Sequence, residues 1–341
     1  MTDEDFALEI KDLRIEFNTP RGVAQVVNGA NLQLRRGQMH GLVGESGSGK
    51  SVTSRSILGL LPRNALRTIT GEILYEGRNL LELSDREMRK SIRGRQISMV
   101  FQDPMTALAP TMRIGDQVIL PMRQHEKLSR KQAHAKMLDL LDQVGIPDPH
   151  KRWRAYPNEL SGGQRQRVMI ACALSCDPRV LIADEPTTAL DVTVQAQILD
   201  LFESLRLERE LTVLLVSHDL ALISERCDRV GVMYAGSVVE KGPAKSLFHT
   251  PQHPYTRLLE ESRPRLEDPP HTRLKTIAGS VVDLHALPKG CSFADRCPGA
   301  QADCREASPA LVDRGTGHPV ACFHPYSQHM AELSAVKEGA A

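Results

Sequence analysis

The feature that most constrains this chain is the glycine-rich run GESGSGKS at residues 44–51, which directly follows the apolar stretch MHGLVG. Glycines let the backbone curl so that successive N–H groups face one anion, and a helix that begins near Lys50 adds its positive end. A buried strand, such a turn and a helix in this order predict a phosphate-binding loop. The residues expected to surround the phosphates are Gly44, Glu45, Ser46, Gly47, Ser48, Gly49, Lys50 and Ser51.

Two carboxylates end a second apolar stretch, VLIADEP at residues 180–186. Lys50 is predicted to reach the β- and γ-phosphates of a nucleotide, and the Ser51 hydroxyl to reach Mg²⁺. Asp184, at the end of the strand, is expected beside the loop, where it binds Mg²⁺ through water. Glu185 then points at the γ-phosphate and polarises a water for in-line attack. The sequence therefore predicts a nucleoside triphosphatase.

The order of apolar stretches predicts an α/β fold. Buried strands alternate with long helical patterns after Ser161, which indicates a parallel sheet that is covered on both faces. Short alternating segments occupy the first 60 residues, and GEILYEGRNL predicts a hairpin with its turn at Glu76 and Gly77. Residues 114–144 have helical periodicity, with Ser129 as the N-cap of a helix that ends at Gly145.

A third motif separates classes that share the first two, since GTPases, kinases, helicases and transporter ATPases all carry them. The guanine-reading motif N-K-x-D is absent, which disfavours a GTPase. LSGGQ, at residues 160–164, predicts a second phosphate-binding helix end, with Ser161 as N-cap and amides left open by Gly162 and Gly163 before Gln164. A single nucleotide bound by one chain does not need two such helix ends. A head-to-tail dimer needs both, because the second end of each chain closes the nucleotide of its partner.

With these motifs in this order, residues 8–245 resemble the ATP-binding cassette (ABC) family. The resemblance implies a RecA-like core with an antiparallel β subdomain and a helical subdomain at about 103–160. It implies ATP and Mg²⁺ as ligands, with no departure at a catalytic position. By their match to family motifs, Gln102 contacts Mg²⁺ and couples the site to a membrane subunit, and His218 contacts the γ-phosphate. Asp191, in TALD, belongs to the segment that crosses the dimer interface, and Phe17 is the candidate for stacking on adenine.

The region after the cassette narrows the resemblance. HTPQHPYTRLL at 249–259, the cysteine-containing segment that follows and FQDPMTALAPTMRIGDQV are similar to oligopeptide/dipeptide importer ATPases, so that the resemblance extends to Pro325. It implies a heterodimer with a second cassette, two membrane permeases and an extracytoplasmic solute-binding protein. The predicted domains are a cassette at 1–250 and a small, loop-rich extension at 251–341. Nickel, opine or sugar remain alternative cargoes.

Four cysteines in the extension, Cys291, Cys297, Cys304 and Cys322, are separated by five, six and seventeen residues. Zinc sites usually use paired C-x₂₋₄-C ligands, which are missing here. Wide spacing with nearby prolines favours an iron–sulfur cluster, and the resemblance implies [4Fe–4S]. Zinc and reduced thiols without metal remain alternatives, as do His318 and His324 as ligands. The sequence indicates no link between this segment and the phosphate site.

Composition sets the expected location. The 341 residues carry a net charge of +1 and are 41% hydrophobic, which favours neither nucleic acid nor an acidic membrane as a partner. The N-terminus lacks a secretory signal, and no apolar run is long enough to span a bilayer. We expect a peripheral protein on the cytoplasmic face of the inner membrane, with no nucleic-acid partner. A soluble ABC ATPase that acts on nucleic acid and an exporter subunit are the alternatives.

Overall fold

A computed structural model of the chain describes residues 6–188, 190–263, 276–315 and 317–326. Two sheets and the helices around them make up the fold. The strands are β1 (Phe6–Thr19), β2 (Gly22–Arg35), β3 (Met39–Val43), β4 (Leu66–Tyr75), β5 (Arg78–Asn79), β6 (Ile97–Val100), β7 (Val180–Asp184), β8 (Thr212–Val216), β9 (Arg229–Tyr234) and β10 (Ser237–Pro243).

Helices connect these strands and cover the larger sheet. The α-helices are α1 (Lys50–Ile57), α2 (Asp85–Glu87), α3 (Pro104–Ala107), α4 (Ile114–His125), α5 (Arg130–Gln143), α6 (Pro149–Arg152), α7 (Gly162–Leu174), α8 (Val192–Arg209), α9 (Leu220–Arg226), α10 (Ala244–His249), α11 (Pro254–Glu261) and α12 (Asp303–Glu306). Short 3₁₀ segments at Leu80–Glu82, Pro157–Glu159 and Ala294–Arg296 and a π-helical turn at Met88–Ile92 complete the described elements.

The larger sheet has the order β10-β9-β3-β8-β7-β6 and carries the loops of the predicted phosphate site. Neighbouring strands from β9 to β6 are parallel, as the sequence predicts, and β10 pairs antiparallel with β9. Alternate residues belong to different cores: Leu181 and Ala183 face one apolar cluster, whereas Val180 and Ile182 face the other. Because side chains alternate along a strand, this sheet is buried on both faces.

The smaller sheet, in the order β2-β1-β4-β5, is antiparallel. Its first two strands are 14 residues each, longer than the short segments that the sequence indicates. Register shifts interrupt their pairing, and Gly29, with φ +72°, lies within β2, so that irregular backbone breaks the apolar alternation without ending the strand. The predicted hairpin is confirmed: β4 and β5 flank a turn at Glu76 and Gly77, both with positive φ.

Residues 103–160 contain the short helices α3 and α6 and the pair α4 and α5, and the helical periodicity of residues 114–144 predicts this pair. Ser129 caps α5 with a capping box, in which its side chain accepts from the Gln132 N–H. The α5 helix ends before Gly145, whose φ of +76° requires the left-handed conformation. These helices pack with α7 in the larger apolar cluster, which continues into the sheet. The helix α7, which begins in the LSGGQ motif, therefore packs against α4 and α5 and against the larger sheet.

The described part of the extension, 276–315 and 317–326, is rich in loops, as expected. It returns to β10, where the Lys241 N–H donates to the Pro319 carbonyl and the Ala321 N–H to the Val239 carbonyl. Most of the proline-rich stretch at 262–270 and the C-terminal AELSAVKEGAA lie outside the described residues. Among the described residues, no helix has both the length and the apolar composition that crossing a bilayer requires.

Candidate nucleotide-binding site

The glycine-rich loop joins β3 to α1 and turns back on itself at the C-terminal edge of the sheet. Gly44 is required because a Cβ there would lie 2.1 Å from the Met233 carbonyl oxygen. The Lys50 Nζ donates to the carbonyls of Gly44 at 2.8 Å and Glu45 at 3.0 Å, inside the curl. Burial lowers the pKa of Lys50, while the carboxylates of Glu185, Asp184 and Glu45 oppose the shift. The loop therefore places the Lys50 ammonium beside the position where a phosphate is expected to bind.

Ser51 and Asp184, which the sequence assigns to Mg²⁺, meet at the start of α1. The Ser51 Oγ donates to the Asp184 Oδ1 at 2.8 Å, and the Arg55 Nε lies 3.4 Å from the Oδ2. Asp184 is fully buried, and its Oδ2 accepts no hydrogen bond. Burial raises the pKa of Asp184, against the Ser51 hydrogen bond and the Arg55 charge. A buried carboxylate oxygen with this unused capacity, beside a hydroxyl, suits a hard divalent cation.

Glu185 contacts the two other residues that the sequence predicts to be catalytic, Gln102 and His218. Its Oε2 accepts from the Gln102 Nε2 at 3.0 Å and from the Thr188 Oγ1 at 3.0 Å, and its Oε1 lies 3.3 Å from the His218 Nδ1. Two other chain segments, those of Gln102 and His218, thus converge on this carboxylate. Glu185 has φ +48°, an uncommon conformation for a residue with a side chain, and such outliers cluster at functional sites. The sequence reasoning missed Thr188 as a partner of this carboxylate.

The LSGGQ segment forms a surface helix end, as predicted. Ser161 and Gly162 are exposed, and Ser161 caps α7 through a capping box with Gln164. A Cβ at Gly163 would lie 2.7 Å from the Val194 side chain, so that this glycine allows α7 and α8 to approach closely. Asp191 caps α8 by accepting from the Val194 N–H at 2.9 Å. Of the TALD segment, residue 189 lies outside the described residues.

Phe17, the candidate for stacking on adenine, lies in β1 and is 9% exposed. It packs in the second apolar cluster, together with residues of β2 and α1. This burial leaves little of its ring open to a base. The role in stacking stays a prediction, and the structure does not favour it.

The four cysteines of the extension line one cavity of about 360 Å³. Burial and the neighbouring thiols raise the pKa of Cys322 to about 12. The histidines named as alternative ligands are engaged otherwise: the His318 Nε2 lies 2.8 Å from the Glu240 Oε1, and the His324 Nε2 lies 2.8 Å from the Asp303 Oδ2. The cysteines face the same space although up to 30 residues separate them in the sequence.

The expectation that the cysteine segment has no link to the phosphate site is wrong. Arg296, next to Cys297, forms a bidentate ion pair with Glu45 of the loop, with N–O distances of 2.7 and 3.0 Å. The Glu45 N–H also donates to the Tyr255 hydroxyl at 2.8 Å. Tyr255 belongs to the HPYT motif, which the sequence analysis used only as a family signature. These contacts join residues more than 200 positions apart, which no local pattern reveals.

Solved structures share this architecture. The dimeric structure of the ATP-binding cassette MJ0796 bound to ADP and Pi matches with a TM-score of 0.62 and 28% identity, covering 70% of this chain and 99% of that one. CbiO1 from Clostridium perfringens, part of the transporter complex cbiONQ, matches with a TM-score of 0.60 and 28% identity, covering 72% and 91%. The fold is that of an ATP-binding cassette, the class of ATPase that the sequence resemblance implies.

Sequence relatives narrow the class. The family model of ABC transporters matches residues 27–188, and that of the oligopeptide/dipeptide transporter C-terminal region matches 239–304. The dipeptide transport ATP-binding protein DppD of Bacillus subtilis is 48% identical, over 93% of this chain and 94% of that protein. OppD of Escherichia coli, an oligopeptide transport ATP-binding protein, is 47% identical over 95% of each. This chain belongs to the ATP-binding subunits of the oligopeptide/dipeptide ABC transporters.

Proposed function

We propose that this chain hydrolyses ATP to power the import of peptide-like solutes through a membrane transporter. The observation that carries the proposal is the convergence on Glu185 of Gln102 and His218, beside a loop that holds Lys50 and Ser51. Peptide cargo follows from the relatives, whose names state dipeptide and oligopeptide transport and whose sequences align along nearly the whole chain.

In the proposed reaction, the loop amides and Lys50 bind the β- and γ-phosphates of ATP. Lys50 then exchanges its two neutral carbonyl acceptors for phosphate oxygens, and charge-assisted hydrogen bonds to anionic oxygens are the stronger ones. Glu185 accepts a proton from the water that attacks the γ-phosphorus; the bond from that phosphorus to the β–γ bridging oxygen breaks, and ADP leaves with the bridging oxygen and its electron pair. Gln102 and Thr188 donate to Glu185 and fix its orientation, while His218, with its side chain 58% exposed, is free to reach the γ-phosphate.

The residues present fit Mg²⁺. Ser51 and Asp184 would hold it, with Gln102 as a further ligand, because a hydroxyl and a buried carboxylate with an unused oxygen are oxygen ligands of the kind that Mg²⁺ prefers. Bound there, Mg²⁺ supplies charge neutralisation for the phosphate oxygens. Asp184 serves as a ligand in this arrangement and Glu185 as the base, which is why the two adjacent carboxylates face different partners.

The exposed end of α7 supports a head-to-tail dimer. Ser161 caps the helix, and Ser161 and Gly162 are exposed, so that the phosphates of a partner's ATP could sit at this helix end. Asp191 and its segment lie at the neighbouring end of α8 and would contact the partner. MJ0796, a structural relative, is described as a dimer in its ADP- and Pi-bound state. We propose a second, homologous cassette as the partner in this chain's complex.

The proposed complex contains two membrane permeases and an extracytoplasmic solute-binding protein, and the cassettes sit peripherally on the cytoplasmic face of the inner membrane. We propose that the cassette ends at about residue 250 and that its helical subdomain spans about 103–160. The predicted membrane-coupling residue Gln102 directly precedes this subdomain. ATP binding then closes the dimer and moves the permeases. No role for nucleic acid is proposed.

We also propose that the four cysteines hold a [4Fe–4S] cluster. A tetrahedral zinc site needs sulfur atoms about 3.8 Å apart, from Zn–S bonds of about 2.3 Å. Within the described residues, the only group of three or more His, Cys, Asp or Glu ligand atoms within 4.8 Å of one another is Asp303, Cys304 and His324. The four thiols instead surround a cavity, which suits a larger cluster. Bound there, the cluster would cross-link the loops that carry the four cysteines.

Metal analysis tests the cluster. Protein purified anaerobically is expected to contain about four irons and four labile sulfides per chain, and Cys304→Ser is expected to lose them. One zinc and no sulfide, or no metal at all, would refute the proposal. The buried Cys227→Ser, outside the cavity, is the matched control.

Transport by the reconstituted complex tests the function. The chain, its partner cassette, both permeases and the solute-binding protein are placed in proteoliposomes with ATP on the cassette side. We expect uptake of labelled di- or oligopeptides that stops in Lys50→Ala. Uptake of nickel, an opine or a sugar in place of peptides would overturn the peptide assignment but leave the ATPase assignment intact.

A further inference from the structure

One ion pair joins the cysteine segment to the phosphate loop. The Arg296 guanidinium bridges both carboxylate oxygens of Glu45, through Nη1 at 2.7 Å and Nη2 at 3.0 Å. The Arg296 side chain is 5% exposed, so the pair is largely shielded from water. A two-pronged arginine–carboxylate contact fixes both orientation and distance, which a single contact does not. The second residue of the loop is therefore held by the extension.

The fold of the cysteine segment sets the position of Arg296. It ends a 3₁₀ turn that begins at Ala294, between the first two cysteines of the cavity, and its Nε donates to the Ala278 carbonyl at 3.1 Å. Beneath the guanidinium, the rings of Tyr234, Tyr255 and Phe293 pack with centroids 4.7 to 5.3 Å apart. Arg296 is thus part of a rigid platform and not a loose surface side chain.

Glu45 connects this platform to the residue that binds phosphate. Its N–H donates to the Tyr255 hydroxyl, and its carbonyl accepts from the Lys50 Nζ at 3.0 Å. The Glu45 carboxylate also acts on the charge of Lys50, where it opposes the lowering of the Lys50 pKa by burial. Without the guanidinium, this carboxylate would be an unpaired negative charge beside a site for anions, and would compete with phosphate for Lys50.

We propose that Arg296 is a positioning residue for ATP binding: it neutralises Glu45 and holds the loop, so that the folded cysteine segment raises the affinity for ATP. The inference rests on the proposed function of the loop. Removing the guanidinium in Arg296→Met is expected to weaken ATP binding about tenfold, or about 1.4 kcal/mol. Turnover at saturating ATP should change less than about twofold, because Arg296 does not touch the reacting atoms.

A double-mutant cycle separates this role from a structural one. In Arg296→Met the harm comes from the unpaired carboxylate, so adding Glu45→Gln should restore the Kd for ATP to within about threefold of the unmodified chain. Glu45→Gln alone is the second single variant of the cycle. Arg296→Lys keeps the charge but loses the two-pronged contact, and should fall between. Arg305→Met, an exposed arginine of the same segment, is the control.

The measurements are the Kd for ATP by calorimetry and turnover, on the full chain, with the unfolding midpoint and iron content of each variant. An unchanged Kd in Arg296→Met, or a double variant as weak as Arg296→Met alone, overturns the inference. If Arg296→Met does not fold, Arg296→Gln with and without Glu45→Gln provides the same comparison. An unmodified chain that binds no ATP would overturn the proposed function as well, which distinguishes the two failures.

Discussion

Replacing Glu185 with glutamine removes one function from the site and leaves its geometry in place. The new amide oxygen can accept from Gln102 and Thr188, as the Oε2 of Glu185 does at 3.0 Å from each. The amide NH₂ then faces the Nδ1 of His218, which accepts when its proton is on Nε2. Every contact keeps a partner of the right kind. What is lost is the ability to take a proton from water.

The expected magnitude follows from this separation. General-base catalysis contributes a factor of about 10²–10⁴, so turnover should fall by that amount, or about 2.7–5.5 kcal/mol in the activation barrier. The Kd for ATP should change less than about threefold, because Lys50 and Ser51 keep their positions. Glu185→Ala, which removes the acceptors for Gln102 and Thr188 as well, should lower turnover and also disturb binding.

The assay is phosphate release by the assembled transporter at saturating ATP, together with equilibrium binding of ATP to the same variants. Glu208→Gln changes an exposed glutamate on α8 and controls for the loss of charge. Turnover in Glu185→Gln within threefold of the unmodified complex would refute Glu185 as the base. Loss of ATP binding would show instead that Glu185 supports the loop.

Three further predictions test the fold and the dimer. Burial, and then the charge of Arg229, lowers the pKa of His40 to about 3, below its unfolded value of 6.5. The contribution of His40 to stability is therefore fully present above pH 6.5 and is lost as the pH falls. At pH 5 this linkage should lower the free energy of unfolding by about 2 kcal/mol, measured by urea unfolding against His40→Gln. Gly162→Glu should abolish turnover in the dimer yet fold normally, since a Cβ there meets only Leu190, at 3.6 Å. Phe293→Ala should lower the free energy of unfolding by about 3–5 kcal/mol, because its ring is 1% exposed in the core.

A defined experimental result would contradict each of these three predictions. Equal slopes of stability against pH in the unmodified chain and in His40→Gln would show that His40 does not titrate as described. Normal turnover in Gly162→Glu would place the closing surface of the dimer elsewhere. A cost below 1 kcal/mol for Phe293→Ala would mean that the extension repacks around the gap.

Local chemistry made much of the site predictable from the sequence. The phosphate loop and the carboxylates after β7 depend on a strand that ends where polar residues begin, and this pattern lies within a few residues. Ser161 was recognisable as a cap for the same reason, because a capping box spans four positions. The parallel order of the strands then brings these ends to one edge of the sheet. Motif spacing therefore implies most of the geometry around Glu185.

Contacts between distant segments were not predictable in this way. Arg296 reads as one more charge beside a cysteine, and Tyr255 as part of a family signature. Their roles depend on the tertiary fold, which brings both residues within hydrogen-bond distance of Glu45. Arg296 is 251 positions and Tyr255 is 210 positions from Glu45 in the sequence. Phe17 is a second case: the family resemblance suggested it as the residue that stacks on adenine, whereas the fold packs its ring in the second apolar cluster. Burial is a property of the whole fold.

The extension is part of the cassette's own structure, because it completes the edge of the larger sheet. Strand β10 is an edge strand, and the segment around Pro319 hydrogen-bonds along it. Glu240 of β10 is fully buried, and its carboxylate accepts from the N–H groups of Gln252 and His253 and lies 2.8 Å from His318. A chain cut at residue 250 would lack all three partners, and the Glu240 carboxylate would lose the contacts that compensate its burial in the full chain. The segment that holds the phosphate loop through Arg296 is therefore also required to close the sheet that carries the loop.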